Sequence, residues 1–595
     1  MPPAPRILAL LAATLAALLA FPANAPSADP IPRTPKLLWQ PVLDAGAVPH
    51  PGPATSLNPF VSYTHLGTDF GFHGPAEHQL VWDNGRISAD LTGQDAWVGM
   101  WHSLAGLAAS ASESLDFAAP YPAPIRAASQ PKITSLAVRA TGNGTLKIEI
   151  KSPGEDLLWQ QAIPLQPPGS TPVTIPLDPE SLRRAKLLVW TAEPGSKVSL
   201  AGVALGVETR PLPIAELALS ASFAKLALCY SQGTGLVRDR AHVPHGAFDS
   251  IPASGLFALA TAAVSTPEIA LVEPTDARRV LHEVVNALDG IQKAAGLLPH
   301  FVREINGRHV IHPRTEYSTV DTAIAYQGLL LAAEILDDDE VRLQILQAIQ
   351  AIDFPLLTLA DGTISHGLRE DGTTVIPYSW RDWGGESALV ILLRGMAESS
   401  PPTPVMAGTG HPWQGTGFIA EIQSLFHPDF DSPQTDAVSG VDWLQARRSL
   451  LEKQKRYWPV HAPESMAAKL GLYGLSASES VSGTTYQVNG VDLTKQDSLQ
   501  PHYMLMAAAI DPDPTSVRTS LQHLLAQGWL APWGTVETFA ADGRHYLPMI
   551  GSLNAGFEAL GAYHFLTGSK NLPNAIHEAS RSLTEVRSAM RAFYP

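Results

Sequence analysis

Cysteine is nearly absent from this chain: among 595 residues Cys229 is the single one. No intrachain disulfide can form, and no cysteine-based zinc site can be built. Cys229 sits in the apolar run AELALSASFAKLALCY, where core packing is its expected role. Charge is also scarce, at 16% of residues, and acidic side chains outnumber basic ones to give a net charge of −16. Binding phosphate backbones requires basic patches, so nucleic acid is not an expected partner. The twenty histidines contain no HExxH, and the chain has no GxSxG, no P-loop and no dinucleotide fingerprint. The motif support for a metalloenzyme, a serine-hydrolase triad or a nucleotide enzyme is therefore missing. Neither a metal nor a cofactor is expected.

Apolar residues, at 45%, and 51 prolines are what the chain has in quantity. Its length exceeds what one hydrophobic core serves, so at least two domains are expected. The first residues read MPPAPRILALLAATLAALLAFPANA. Arg6 is a short positive region, Ile7 to Phe21 is apolar, and Ala23-Asn24-Ala25 is a small-x-small cleavage site. Residues 1–25 therefore read as a secretory signal peptide, too short for a spanning helix. The expected location is a bacterial periplasm or the medium, with no membrane attachment after cleavage.

Residues 26–210 begin rich in proline and alanine. They then give short alternating or apolar runs, LKIEIKS, LLWQQAIPL, PVTIPL, AKLLVWTA and KVSLAGVALG, with Gly, Pro and Ser between them. That pattern predicts a β-sandwich accessory domain of jelly-roll type. Trp97 and Trp101, in DLTGQDAWVGMWHSL, could stack on a sugar face, although core packing is the plainer expectation. After Arg210-Pro211-Leu212-Pro213 helical periodicity takes over, near 214–231, 250–265, 275–294, 318–336, 339–352, 385–398, 442–456, 501–510, 515–527, 551–567 and 573–592. Without a fixed repeat length, this number of helices predicts an all-α (α/α)6 barrel over residues 211–595 rather than a solenoid.

Two runs place a glutamate at the mouth of an apolar helix: TEYSTVDTA (Thr315–Ala323) and YSWRDWGGESALVILL (Tyr378–Leu393). Paired carboxyls, one protonated and one ionised, are what glycosidic-bond cleavage requires. Glu386 is the expected general acid, because Trp380 and Trp383 supply apolar surroundings that raise a carboxyl pKa. Glu316 and Asp321 compete for the second role. Ser318 caps the helix, Asp321 falls in its first turn, and Glu316 lies outside it. Asp382 is a further possibility beside Arg381. Other polar and aromatic residues on expected loops suit a sugar cleft: Asp239, Arg240, His300, Phe301, Arg314, Tyr317, Tyr378, Tyr473, Glu479, Trp533, Glu537 and Asn554.

The segments TGLVRDR, GLLPHF, TEYSTVDTA, SWRDWGGESALVILL and GLYGLSASES, in this order, resemble the glucoamylase-like (α/α)6 glycoside hydrolases. That family includes bacterial endo-β-1,2-glucanases and domains of cyclic β-1,2-glucan synthases. The resemblance runs from about residue 214 to 567. It implies an exported hydrolase with a glucan as partner, β-1,2-glucan foremost, with Glu386 matching the acid and Glu316 lining the cleft. The segment GRHVIHPRTE lacks the acidic residues that relatives carry before that glutamate, so the base does not transfer. Endo-acting hydrolysis with inversion by a carboxylate pair is the expectation, with a retaining or transglycosylating reaction on the same fold, or an inactive glycan-binding protein, as the alternatives.

Overall fold

Among the described residues, ten antiparallel strands precede the long helices. In the computed structural model the described residues are 33–47, 70–83, 85–108, 114–166, 172–241, 248–381, 383–398, 413–483, 485–493 and 496–595. The expected signal peptide, most of the segment after it and Asp382 lie outside them. The strands are β1 (Leu37–Asp44), β2 (Phe70–His73), β3 (Leu80–Asp83), β4 (Arg86–Asp90), β5 (Val98–Ser103), β6 (Lys132–Lys151), β7 (Leu157–Leu165), β8 (Val173–Pro176), β9 (Leu187–Ala192) and β10 (Lys197–Glu208). Their order is β2-β5-β9-β6-β10-β4-β3, with β1 on β10 and β7 and β8 on β6. The first half of β6 pairs with β10 and β8, and the second with β7 and β9. Gly142 and Gly144, at φ 143° and 104°, allow the bend between the halves. One strand thus carries the sheet around a curl, where the sequence run LKIEIKS suggests as strand only its last six residues, from Leu146. The inward face alternates, with Leu146, Ile148 and Ile150 fully buried.

The helices follow: α1 (Ile214–Ala227), α2 (Ile251–Val264), α3 (Pro274–Asp289), α4 (Thr319–Ile335), α5 (Asp339–Gln350), α6 (Gly385–Glu398), α7 (Trp443–His461), α8 (Pro514–Gln527), α9 (Ser552–Lys570), α10 (Ala575–Ser582) and α11 (Thr584–Met590). The single long helix expected near 573–592 is two, because Leu583 adopts an extended conformation. Burial separates the helices into two kinds. Helix α2 is buried at every residue, and α1, α4, α6 and α9 nearly so. Helices α3, α5 and α8 bury one stripe each, as amphipathic surface helices do. Among the described residues no helix is long and apolar enough to cross a membrane. Helices α2 and α4 touch through their backbones: a Cβ on Gly255 would lie 2.5 Å from the Ala325 Cα, and one on Gly328 2.6 Å from the Gly255 carbonyl oxygen.

Helix α1 is joined to α9 by a buried ion pair, Lys225 Nζ to Glu558 Oε2 at 2.9 Å, with side chains 1% and 0% exposed. Ser222, the Thr535 amide and the Thr535 hydroxyl also donate to Glu558. The sheet meets the helical region through buried polar contacts as well. Tyr121 Oη donates to the Pro532 carbonyl at 2.8 Å, and the Trp533 amide to Gln40 Oε1 at 3.2 Å. Cys229 is buried, and burial pushes its thiol up to about 12, a packing residue rather than a nucleophile. Replacing Lys225 by Met strands a carboxylate in the core. The expected loss is about 3–5 kcal/mol, read as a lowered urea midpoint, and an unchanged midpoint would show that the pair contributes nothing.

Candidate active site

The segments that open α4 and α6 face one cleft. Ser318 starts α4: its hydroxyl oxygen accepts the Asp321 amide at 3.2 Å, satisfying a donor the first turn leaves free. The return half of a capping box is not made, because the Ser318 amide is bonded to the Leu298 carbonyl. The Asp321 carboxylate is therefore available to His300, whose Nδ1 lies 3.6 Å from Asp321 Oδ2 and 3.2 Å from Glu316 Oε1. The His300 amide donates to the Glu316 carbonyl at 2.9 Å, and the Phe301 ring stacks on the imidazole at 3.7 Å.

These neighbours divide the carboxyls. Burial opposes charge on His300, but Asp321, Glu316 and Asp239 outweigh it and push the imidazole up to about 9. The hydrogen bond from His300 holds Glu316 below its ordinary value. Burial pushes Asp321 up, with His300 opposing. Glu386 goes furthest: burial first, then the nearby Asp321 charge, push it up to about 7. His300, Glu316 and Asp321 bring ligand atoms within 4.8 Å of one another, a spacing that would admit a cation. Here the positive charge between the two carboxylates is the imidazolium itself.

The cleft has a wide part of about 990 Å³ and a narrower one of about 590 Å³. Glu386, His366, Tyr378, Trp380, Phe418 and Tyr486 line both, so the two are continuous at Glu386. Trp380 is fixed by its Nε1 donating to Thr319 Oγ1 at 2.9 Å and by stacking on His366 at 4.1 Å. Tyr378 is 69% exposed. Several wall residues sit at or just before the start of a buried helix: Ser318 and Asp321 at α4, Glu386 at α6, Phe418 at the short helix Gly417–Glu421, Leu553 at α9.

Of the residues singled out from sequence, the structure brings Glu316, Asp321, Glu386, His300, Arg314, Tyr378, Trp380, Arg381 and Trp383 to this cleft. Arg381 is paired outward with Asp361 at 2.8 Å, and Trp383 packs edge-on against Trp443. Tyr317 is buried, in register with Leu368, and Phe301 backs His300; neither is a wall. Asp239, Arg240, Glu479, Glu537 and Asn554 form a polar layer adjoining the cleft. Arg240 lies between Asp239 and Glu479, and Asn554 Nδ2 donates to Glu537 Oε1 at 2.5 Å. Burial raises the pKa of Asp239, Glu479 and Glu537. Tyr486 joins this layer to the cleft. Its ring is exposed, while its hydroxyl points inward and is raised by burial and then by Glu537, Glu386 and Glu479.

Two expectations are corrected. Tyr473 is fully buried, edge-on to Tyr503 and under the Lys455 ammonium, because its loop is folded beneath α7. Trp533 is fully buried against Tyr121, where the helical region meets the sheet. Neither can touch a ligand in the cleft. Sequence reasoning passed over His366, Phe418 and Tyr486, as well as Arg369, Glu370 and Asp371 on the wide part's rim. The acidic pair in LREDGTT was a usable signal; the lone aromatics carried none.

No protein-family model matches the sequence, and a comparison with curated proteins gives no relative. Solved structures do match. A β-1,2-glucanase from Parabacteroides distasonis superposes with a TM-score of 0.54 at 11% identity, over 86% of this chain and 92% of its own. An endo-β-1,2-glucanase from Chitinophaga pinensis, in complex with sophorotriose and glucose, gives 0.52 at 13% identity, over 64% and 97%. A candidate glucoamylase from Bacteroides uniformis gives 0.53 at 14% identity, over 64% and 96%. With helices grouped around a carboxylate-lined cleft, this chain shares its fold with these solved glucanase and glucoamylase structures.

Proposed function

We propose that this chain is an exported glycoside hydrolase that cleaves β-glucan, preferentially β-1,2-linked, within the chain and with inversion. The observation that carries the proposal is Glu386: a carboxyl held protonated to about 7 at the junction of two continuous parts of one cleft. A proton donor there has room for sugar units on both sides, which favours internal cleavage. Glu386 gives its proton to the leaving oxygen. Glu316, ionised by His300 and partly exposed, activates the water. Asp321 is too enclosed for that role and instead keeps the proton on Glu386. Trp380 and Tyr378 offer faces for sugar rings. The β-1,2 linkage is taken from what two of the superposed proteins are named for.

The same reading extends to architecture and location. Alternation of wholly buried with one-faced helices supports an (α/α)6 barrel over residues 211–595, and the curled sheet supports a β-sandwich over residues 26–210. Residues 1–25 read as a leader for export to the periplasm or beyond. The reaction class is tested by incubating the protein with β-1,2-, β-1,3-, β-1,4- and α-linked glucans. Internal fragments from the β-1,2 polymer with inverted anomeric configuration by NMR are expected, and retention would replace the water-activating base with a covalent nucleophile.

Glu386→Gln keeps the shape and removes the transferable proton. It should lower kcat by ~10²–10⁴-fold while binding survives, and a near-normal rate would remove Glu386 from the role. The pH profile has a stated sign. Activity should fall as pH rises through about 7, where Glu386 loses its proton, and should fall on the acid side only in or below the ordinary carboxylate range. Asp321→Asn removes a charge that raises Glu386, so the alkaline limb should move to lower pH. A limb that stays in place would separate Asp321 from Glu386. Glu316→Gln should slow turnover by ~10²–10⁴-fold with thermal stability retained; full activity would place the base elsewhere, with Glu370 and Asp371 next to be tested.

A further inference from the structure

The curled sheet carries a second groove far along the chain from the cleft, and the hydrolase reading leaves it unused. It has a volume of about 580 Å³ and is lined by Trp101, His73, Lys151, Glu155 and Lys186, among others. That volume falls within the roughly 300–1,000 Å³ typical of small-molecule sites. Its floor follows from strand register. Trp101 on β5 stands opposite Gly71 on β2, and His73 on β2 stands opposite Gly99 on β5. These four positions share one face of the sheet, because residues two apart on a strand point the same way. The other face holds Met100 and Trp190, both in the core.

The two glycines let the rings approach the strands closely. A Cβ on Gly71 would lie 2.4–2.7 Å from the Trp101 indole, and one on Gly99 2.2 Å from His73 Nε2. Each ring thus lies against a backbone that has no side chain to lift it. The underside of the indole is filled by the strand while the residue remains partly exposed in the groove. His73 is held by contacts of its Nε2 at 3.3 Å with the Trp190 carbonyl and the Thr191 hydroxyl, and takes the edge of Trp97 at 5.2 Å. Lys151 is balanced by Glu149 at 3.7 Å, and Lys186 and Glu155 bring opposite charges to the rim. Balanced donors and acceptors around a flat aromatic face suit a neutral polyhydroxylated ligand.

We propose that this groove is a second glycan-binding site, in which Trp101 stacks on a sugar ring of the same β-glucan polymer that the cleft acts on. Two sites on one polymer raise the local concentration of substrate at the cleft. The identity of the glucan rests on the proposed hydrolase function, but the site does not. The test uses the full chain in native gels containing soluble β-1,2-, β-1,3- or β-1,4-glucan, so that no turnover is read. At least one glucan should retard the wild-type protein, and Trp101→Ala and Lys186→Ala should each weaken retardation, the former by about tenfold in apparent Kd. Trp101→Phe, which keeps a ring, should recover part of it. Kinetics on polymer should show KM raised in Trp101→Ala with kcat unchanged, and on short oligosaccharides no change. Retardation through Trp101 only by a glucan that the protein does not hydrolyse would overturn the shared polymer while leaving a glycan site in the groove, and hydrolysis of no glucan in the panel would overturn the hydrolase reading alone. Absence of retardation by every glucan, or equal retardation of wild type and both alanine variants, would overturn the groove.

Discussion

The first and the last of the long buried helices are tied by one buried contact, the Lys225–Glu558 ion pair. It joins the first long helix to one that begins more than three hundred residues later. A charged pair with no solvent around it is held in place by hydrogen bonding, here from Ser222 and both groups of Thr535, rather than by net Coulomb gain. Both helices are buried along nearly their whole length, and a second pair, Glu216 with Lys570 at 2.5 Å, joins them nearer the surface. The two pairs together hold their register. With α9 placed, Leu553 and Asn554 at its start are placed too, and with them the polar layer that reaches Tyr486.

The cleft gives carboxyls of one kind unequal surroundings. Glu316, Asp321 and Glu386 all occur near the starts of α4 and α6, yet a single imidazole separates them. It keeps Glu316 ionised. It cannot neutralise Asp321 fully, and the remaining charge on Asp321 adds to burial in keeping Glu386 protonated. His300 is placed by backbone bonding to Glu316 and by the Phe301 ring, so the electrostatic order is built into the chain path between the end of α3 and α4.

Much of this was legible in the sequence where local chemistry decides the structure. Helix α6 begins and ends at the residues its periodicity suggests, and the Ser318 cap is where a serine before an apolar run should be. The carboxyls of the cleft were found because they sit beside such helix starts. What was not legible depends on which segment covers which. Tyr473 and Trp533 occur among turn residues as binding aromatics do, but other segments of the fold bury them. His366 and Tyr486 belong to two- and three-residue strand neighbourhoods whose pairing, Tyr486 with Glu479 for example, has no periodicity to read. The length of β6 was missed for the converse reason: glycines at 142 and 144 look like an ending and instead bend a continuous strand.

The cleft walls lie at the beginnings of α4, α6 and α9, and those helices all point the same end toward it. Each such end carries a partial positive charge of about half a unit from its aligned peptide dipoles, so three give about one and a half. The His300 imidazolium cancels one of the two charges on Glu316 and Asp321. Arg314 and Arg369 stand against Glu370 and Asp371 in the same lining, so the charges facing the cleft come close to balance despite its acidic residues. An uncharged sugar chain would enter without displacing a dense layer of counterions, and its hold there would owe little to the salt around it.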